Sequence, residues 1–256
     1  MRGALILSLL LWPLWAIAAQ AESVVLGLSR EQVSITTNFD GSEILIFGAV
    51  KREEPIRTDP PLEVIITVAG PSRPVMVRRK ENRFGIWVNT DALEVDAAPS
   101  FYAVASTAPL DTVLSEVEDL RHGISIERAI RSVGAPPEIT DADAFRDAVI
   151  RIRREADLYQ MLEGGVALDE HTLFRTAIDM PANLTEGDYA VRIFLTRDGE
   201  VVSHYEAWLD VRKVGLERQL FTLSREQPVL YGLMSLVIAI AAGWGASAAF
   251  SLMRNS

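Results

Sequence analysis

The chain has no cysteine in 256 residues. That excludes disulfide staples, thiol nucleophiles, thiolate metal sites and attachment of a lipid through an N-terminal cysteine. Histidine is nearly as scarce: His122, His171 and His204 are the whole supply. None has a second histidine or a glutamate at a spacing that reads as a metal site. No G-x-S-x-G, H-E-x-x-H, P-loop or Rossmann glycine pattern occurs. Positive charge is also in short supply, with 25 Lys and Arg against 35 Asp and Glu and a formal net charge of −10. An acidic body of this kind is a poor nucleic-acid ligand. No cofactor is expected, and no enzymatic activity.

Two apolar stretches stand out. Residues 1–21 read as a signal peptide: Arg2 supplies the positive start, Leu5 to Ile17 the apolar segment, and Ala19-Gln20-Ala21 the small-residue cleavage site. From Val229 to Leu252 runs VLYGLMSLVIAIAAGWGASAAFSL, without a charge and long enough to cross a bilayer as a helix. Only residues 253–256 follow it in this sequence. The expected arrangement is an exported body and a cytoplasmic tail, and it rests on the signal peptide. The charges flanking the helix do not settle its direction, because Arg212, Lys213, Arg218 and Arg225 precede it while Arg254 follows.

Between these ends the period of the apolar residues changes twice. Residues 22–108 read as strands. Gln32 to Phe39 alternates, Asp40-Gly41 offers a hairpin turn, and Ser42 to Val50 is apolar at almost every position, which predicts a central strand. Leu62 to Ala69, Pro74 to Lys80, Arg83 to Asn89 and Ser100 to Ser106 continue the series.

Residues 109–164 read as helical. Leu110, Val113, Leu114, Val117 and Leu120 form one stripe. Ile126, Ala129, Ile130 and Val133 form a second, stopped by Pro136-Pro137. Phe145, Ala148, Val149, Ile152, Ala156, Tyr159 and Leu162 form a third, closed by Gly164-Gly165.

Residues 165–213 return to strands. Thr185-Glu186-Gly187-Asp188-Tyr189 has the form of a tyrosine corner, and Arg197-Asp198-Gly199-Glu200 is a hairpin turn that sets Arg197 opposite Glu200. Residues 214–228 connect to the membrane helix. The expected fold is mainly β: an immunoglobulin-like sandwich, in one or two β halves, with an inserted helical segment and one C-terminal transmembrane helix.

Two groups of residues are candidates for contact. Arg78, Arg79, Lys80 and Arg83 put four cations into six positions at a hairpin tip, with Trp87 just behind. Such charges can simply keep a sheet edge from pairing with other chains. They can also dock an anionic group, a lipid phosphate or an acidic protein surface. Strand alternation puts Arg78 and Lys80 on one face and Arg79 with Val77 on the other, so Arg79 is free to pair with an acidic neighbour. In the membrane helix, Gly232, Ala239, Ala242, Gly243, Ala246 and Ala249 form a stripe of small residues. It suits close packing on a second helix and equally suits lipid.

Several blocks resemble the Alph_Pro_TM family of alphaproteobacterial transmembrane proteins. They are Glu43 to Val50, Val77-Arg78-Arg79-Lys80 with Gly85-Ile86-Trp87-Val88-Asn89, Phe101 to Ser106, Glu186-Gly187-Asp188-Tyr189, and Tyr231-Gly232 with Ala242-Gly243-Trp244. The resemblance spans most of the chain after residue 21, and its basic hairpin block is the specific one. It implies an exported domain on a C-terminal membrane helix and carries no catalytic residues to this sequence. The expected role is a non-enzymatic accessory or interaction module of the bacterial inner membrane. Its body would lie in the periplasm and meet an inner-membrane protein through both the body and the helix. A periplasmic ligand-binding or sensory domain is the alternative.

Overall fold

A computed structural model describes residues 23–29, 32–35, 41–52, 55–56, 58–131, 141–213 and 223–254. The expected signal peptide, Val133, the Pro136-Pro137 stop, Asp40 of the expected turn and most of the connector lie outside them.

Among the described residues the body is built on twelve strands. They are β1 (Ser23–Leu28), β2 (Gln32–Ile35), β3 (Ser42–Lys51), β4 (Glu63–Ala69), β5 (Ser72–Arg83), β6 (Ile86–Pro99), β7 (Tyr102–Ser106), β8 (Tyr159–Glu163), β9 (Ala167–Asp169), β10 (Leu173–Met180), β11 (Gly187–Arg197) and β12 (Glu200–Lys213). Four helices, α1 (Leu110–Val113), α2 (Glu116–His122), α3 (Ile126–Ala129) and α4 (Ala142–Glu155), are inserted between β7 and β8, and α5 (Pro228–Arg254) closes the chain. The strands form a four-stranded sheet in the order β1-β3-β10-β9, a six-stranded sheet in the order β2-β12-β11-β4-β7-β8, and the β5–β6 pair.

Alternation explains the core. Ile44, Ile46 and Val50 of β3, with Phe174, Ile178 and Met180 of β10, are buried on one face of the small sheet. Val64, Ile66 and Val68 of β4 stand beside Leu195, Ile193 and Val191 of β11 and join the same core. The opposite face of the large sheet, with Ile65, Thr67, Tyr102 and Phe194, lies under the helical insert. Tyr102 donates to the carbonyl of Ile124 at 2.8 Å, and His122 packs on Phe194 at 5.5 Å. With cover on both sides, β4 is buried at every inner position. Arg192 holds the end of α2 to the sheet, donating to the carbonyls of His122 (2.8 Å) and Gly123 (3.0 Å). These are C-terminal carbonyls that the helix cannot satisfy itself.

Two turns match their sequence signals. Tyr189 donates its hydroxyl proton to the carbonyl of Thr185 at 2.7 Å, the hydrogen bond of a tyrosine corner. Asp198 and Gly199 both have positive φ (52° and 76°), and Arg197 faces Glu200.

Three expectations are corrected. Asp40-Gly41 does not close a β2–β3 hairpin: β2 pairs parallel with β12 in the large sheet, and β3 pairs with β1 and β10 in the small one. The first helical stripe is broken at Leu114-Ser115, because Ser115 caps α2 by accepting from the Glu118 amide at 3.4 Å. Val113 and Leu114 are therefore buried while Val117 and Leu120 are exposed. The helical reading of 109–164 also runs too far. α4 ends at Glu155, Asp157 adopts φ 58°, and Tyr159–Glu163 is strand β8, paired parallel with β7. Tyr159 and Leu162 fit a helical spacing by coincidence. The open edge of β7 claims their backbone, and the Tyr159 hydroxyl donates to the carbonyl of Pro99 at 2.8 Å.

Candidate functional site

The hairpin grows out of the large sheet without a break in its ladder. β4 and β7 pair up to Ala69 and Tyr102. The Gly70 amide then donates to the carbonyl of Phe101 (2.8 Å), the Ser100 amide donates to that of Pro71 (3.0 Å), and Ser72 faces Pro99 at the start of β5–β6. The arm leaves at the end of the sheet where Gly187 faces Val211, which is also where β12 finishes and the chain departs toward α5.

Along the arm the side chains divide by face. Val75, Val77 and Arg79 point toward α4, where Phe145 and Val149 are buried. Arg79 donates to Asp141 just ahead of α4, stands 3.5 Å from Asp91 and lies 4.6 Å from the Phe145 ring centroid. The bond to Asp141 holds its guanidinium pKa above the usual value. Arg79 is thus engaged with Asp141 and Asp91 on the α4 side of the arm, as its place beside Val77 suggested, and stands apart from Arg78 and Lys80.

Arg78 and Lys80 point the other way, are exposed, and form no ion pair among the described residues. The register adds Trp87 to their face. It sits opposite Asn82, two residue pairs beyond the Lys80–Asn89 pair, and is 67% exposed. Arg83 stands at the tip opposite Ile86, 3.3 Å from Glu81 and open to solvent.

Sequence reading missed the apex itself. Phe84 and Gly85 make the turn, with φ of 55° and 83°, and the Gly85 amide donates to the Asn82 side chain at 2.9 Å. This turn favours Asn or Gly at both positions, and a bulky residue at positive φ costs about 1–2 kcal/mol. Phe84 occupies the strained position while fully exposed, and Ile86 beside it is 67% exposed. The available signal was Asn82-Arg83-Phe84-Gly85, where Asn and Gly, both turn-forming residues, bracket Phe84.

A second surface was also missed. β3 was expected to be central because it is apolar at both parities. It lies inside its sheet, yet only one face is covered. On the outer face Val25, Leu45, Phe47 and Leu173 are between 40% and 57% exposed. Register places Val25 and Leu173 on either side of Ala49, with Phe47 between Gly27 and Arg175. Glu43 and Asp179 close one end of the patch, and Lys51 lies at the other.

His122 and His204 are closer together in space than their spacing indicated. His122 meets Glu118 one helical turn earlier (3.4 Å), and His204 from β12 lies 5.8 Å from its ring. A Glu at i−4 was therefore present and overlooked. Among the described residues no group of three His, Asp or Glu is arranged to hold a metal.

α5 is apolar on every side, and Val229, Leu233, Val237, Ile240 and Trp244 are exposed. It has the length and composition to cross a membrane. A Cβ on Gly232 or Gly243 would meet nothing within 4 Å, so that face of the helix is not packed on the body. Ala239 and Ala242 are exposed beside Gly243; the side chains of Ala246 and Ala249 lie outside the described ones.

A family model described as "Putative transmembrane protein (Alph_Pro_TM)" matches residues 23–251. The chain belongs to that family, and with α5 it is a membrane-associated protein. No curated protein matches it.

Proposed function

We propose that this protein is a non-enzymatic interaction module, tethered by α5 with its body in the periplasm, and an accessory subunit of an inner-membrane complex. One observation carries the reading: the outer face of the β1-β3-β10 sheet carries an exposed apolar patch of Val25, Leu45, Phe47 and Leu173, where an antiparallel sheet with one solvated face is ordinarily polar. Arg175 stands beside Phe47 in this patch, and Glu43, Asp179 and Lys51 lie at its ends. An apolar centre with a polar rim is the anatomy of a protein interface. The occupant is the exported part of another protein held in the same bilayer. A shared membrane keeps the two at high effective concentration, so a modest patch suffices.

The test compares the wild-type chain with a Leu45→Arg variant, both purified in mild detergent after cross-linking in cells. A membrane protein that co-purifies with the wild type and is lost from a normally folded variant supports the reading. Identical co-purification from both, or no membrane partner with either, defeats it.

A further inference from the structure

The arm carries a second surface with a chemistry of its own. Its apex is Phe84, flanked by Ile86 and Trp87, all exposed and none in contact with the core. Just behind the apex stand Arg78, Lys80 and Arg83. Phe84 does nothing for the turn it occupies, since its φ of 55° suits Asn or Gly better. The order is aromatic and aliphatic groups at the extremity, then Arg83, Lys80 and Arg78 one, four and six residues back from Phe84 along β5, and a body of opposite overall charge behind them. It matches the layering of a bilayer surface, where aromatic rings settle at headgroup depth and Lys and Arg meet lipid phosphates.

Reach agrees with this. β5 has twelve residues and can carry the tip about 40 Å from Ser72 at about 3.3 Å per residue. The chain between Lys213 and Pro228 starts from the same end of the sheet and can span at most about 50 Å. The reach of the arm and the greatest span of the connector are therefore of similar length.

We propose that the β5–β6 tip docks in the anionic interface of that membrane, with Phe84, Ile86 and Trp87 entering the headgroup layer and Arg78, Lys80 and Arg83 on the phosphates. The inference rests on α5 being a membrane anchor. It does not require a protein partner.

The absence of cysteine makes a direct test simple. The full chain carrying Ile86→Cys, labelled with a polarity-sensitive fluorophore, is reconstituted alone into phosphatidylcholine vesicles with or without phosphatidylglycerol. Label emission should shift to the blue and be quenched by headgroup spin-labelled lipid only with phosphatidylglycerol present. Raised salt should reverse both effects. Adding Arg78→Ala and Lys80→Ala should lower the docked-to-free ratio about 30-fold, the effect of two cations at an anionic surface. A label at Asn89→Cys repeats the measurement without altering the apex, and circular dichroism verifies folding. A water-exposed label in both vesicle types, or docking indifferent to the two substitutions and to salt, overturns the proposal. The first of those results would point the tip toward a protein. Because only this chain is in the vesicle, neither outcome bears on whether a partner covers the β3 face, and carbonate extraction separately reports anchoring by α5.

Discussion

Arg79 of β5 rests 4.6 Å above the ring of Phe145 in α4 while its guanidinium bonds Asp141 at the head of that helix. The arm is thus pinned to the body at one cation and left open at its neighbours.

Arg79→Met should loosen the arm, whereas Arg78→Met and Lys80→Met should not. Hydrogen exchange at the β5 and β6 amides is the direct measure. Faster exchange in the Arg79 variant alone is expected, and equal protection in all three would refute the pinning role.

Gly48 has no room for a methyl group. A Cβ there would lie 2.4 Å from the Phe174 ring and 2.6 Å from the Val25 carbonyl oxygen. Gly48→Ala should destabilise the body by about 1–3 kcal/mol, as overpacking does. Phe174→Leu relieves only the ring contact, so the double variant should not regain wild-type stability. Urea unfolding decides the point.

Tyr159 and Tyr189 give the body an alkaline limit. Burial raises both phenols from 10.0 to about 12. In the unfolded chain they ionise near pH 10, so the stabilisation they confer is complete below that pH and is lost as pH rises toward 12. Urea midpoints should fall through this window. The double variant Tyr159→Phe, Tyr189→Phe should fall less steeply there, while losing about 1 kcal/mol per deleted hydroxyl bond at neutral pH. Parallel curves for the two proteins would contradict the assignment.

Gly243→Leu tests the small-residue side of α5. If Gly243, Ala242 and Ala239 pack on a partner helix, the substitution should weaken co-purification without impairing insertion, because leucine is at least as apolar. Unchanged association would assign that side to lipid.

Most strands were legible because one face of each is buried and polar residues alternate with it. The Tyr189 corner and the Asp198-Gly199 turn were legible because few residues satisfy their backbone geometry. What escaped was decided by partners distant in the chain. Tyr159 became a strand because β7 had a free edge, and β2 left β3 because β12 received it. At the contact region, alternation correctly separated Arg79 from Arg78 and Lys80. It could not show that Trp87 would return on the far strand to their face, because that depends on the register of the hairpin and the irregularity between Arg79 and Lys80. The open outer face of β3 was not legible because an apolar strand reads the same whether the fold covers both its sides or only one.

The ladder that passes from β4–β7 into β5–β6, with register shifts at Arg73/Val75 and Arg79/Lys80, makes the arm an adjustable ruler. Removing or adding one facing residue pair flips the parity of everything beyond it. Two facing pairs restore parity and change the length by about 7 Å. Such a change between Arg79 and the tip would spare the contacts with α4 and leave the buried sheet untouched. The height of the tip can therefore be reset in fixed steps while its chemistry is kept, and a series of such deletions would report the distance at which the body stands from whatever the tip touches.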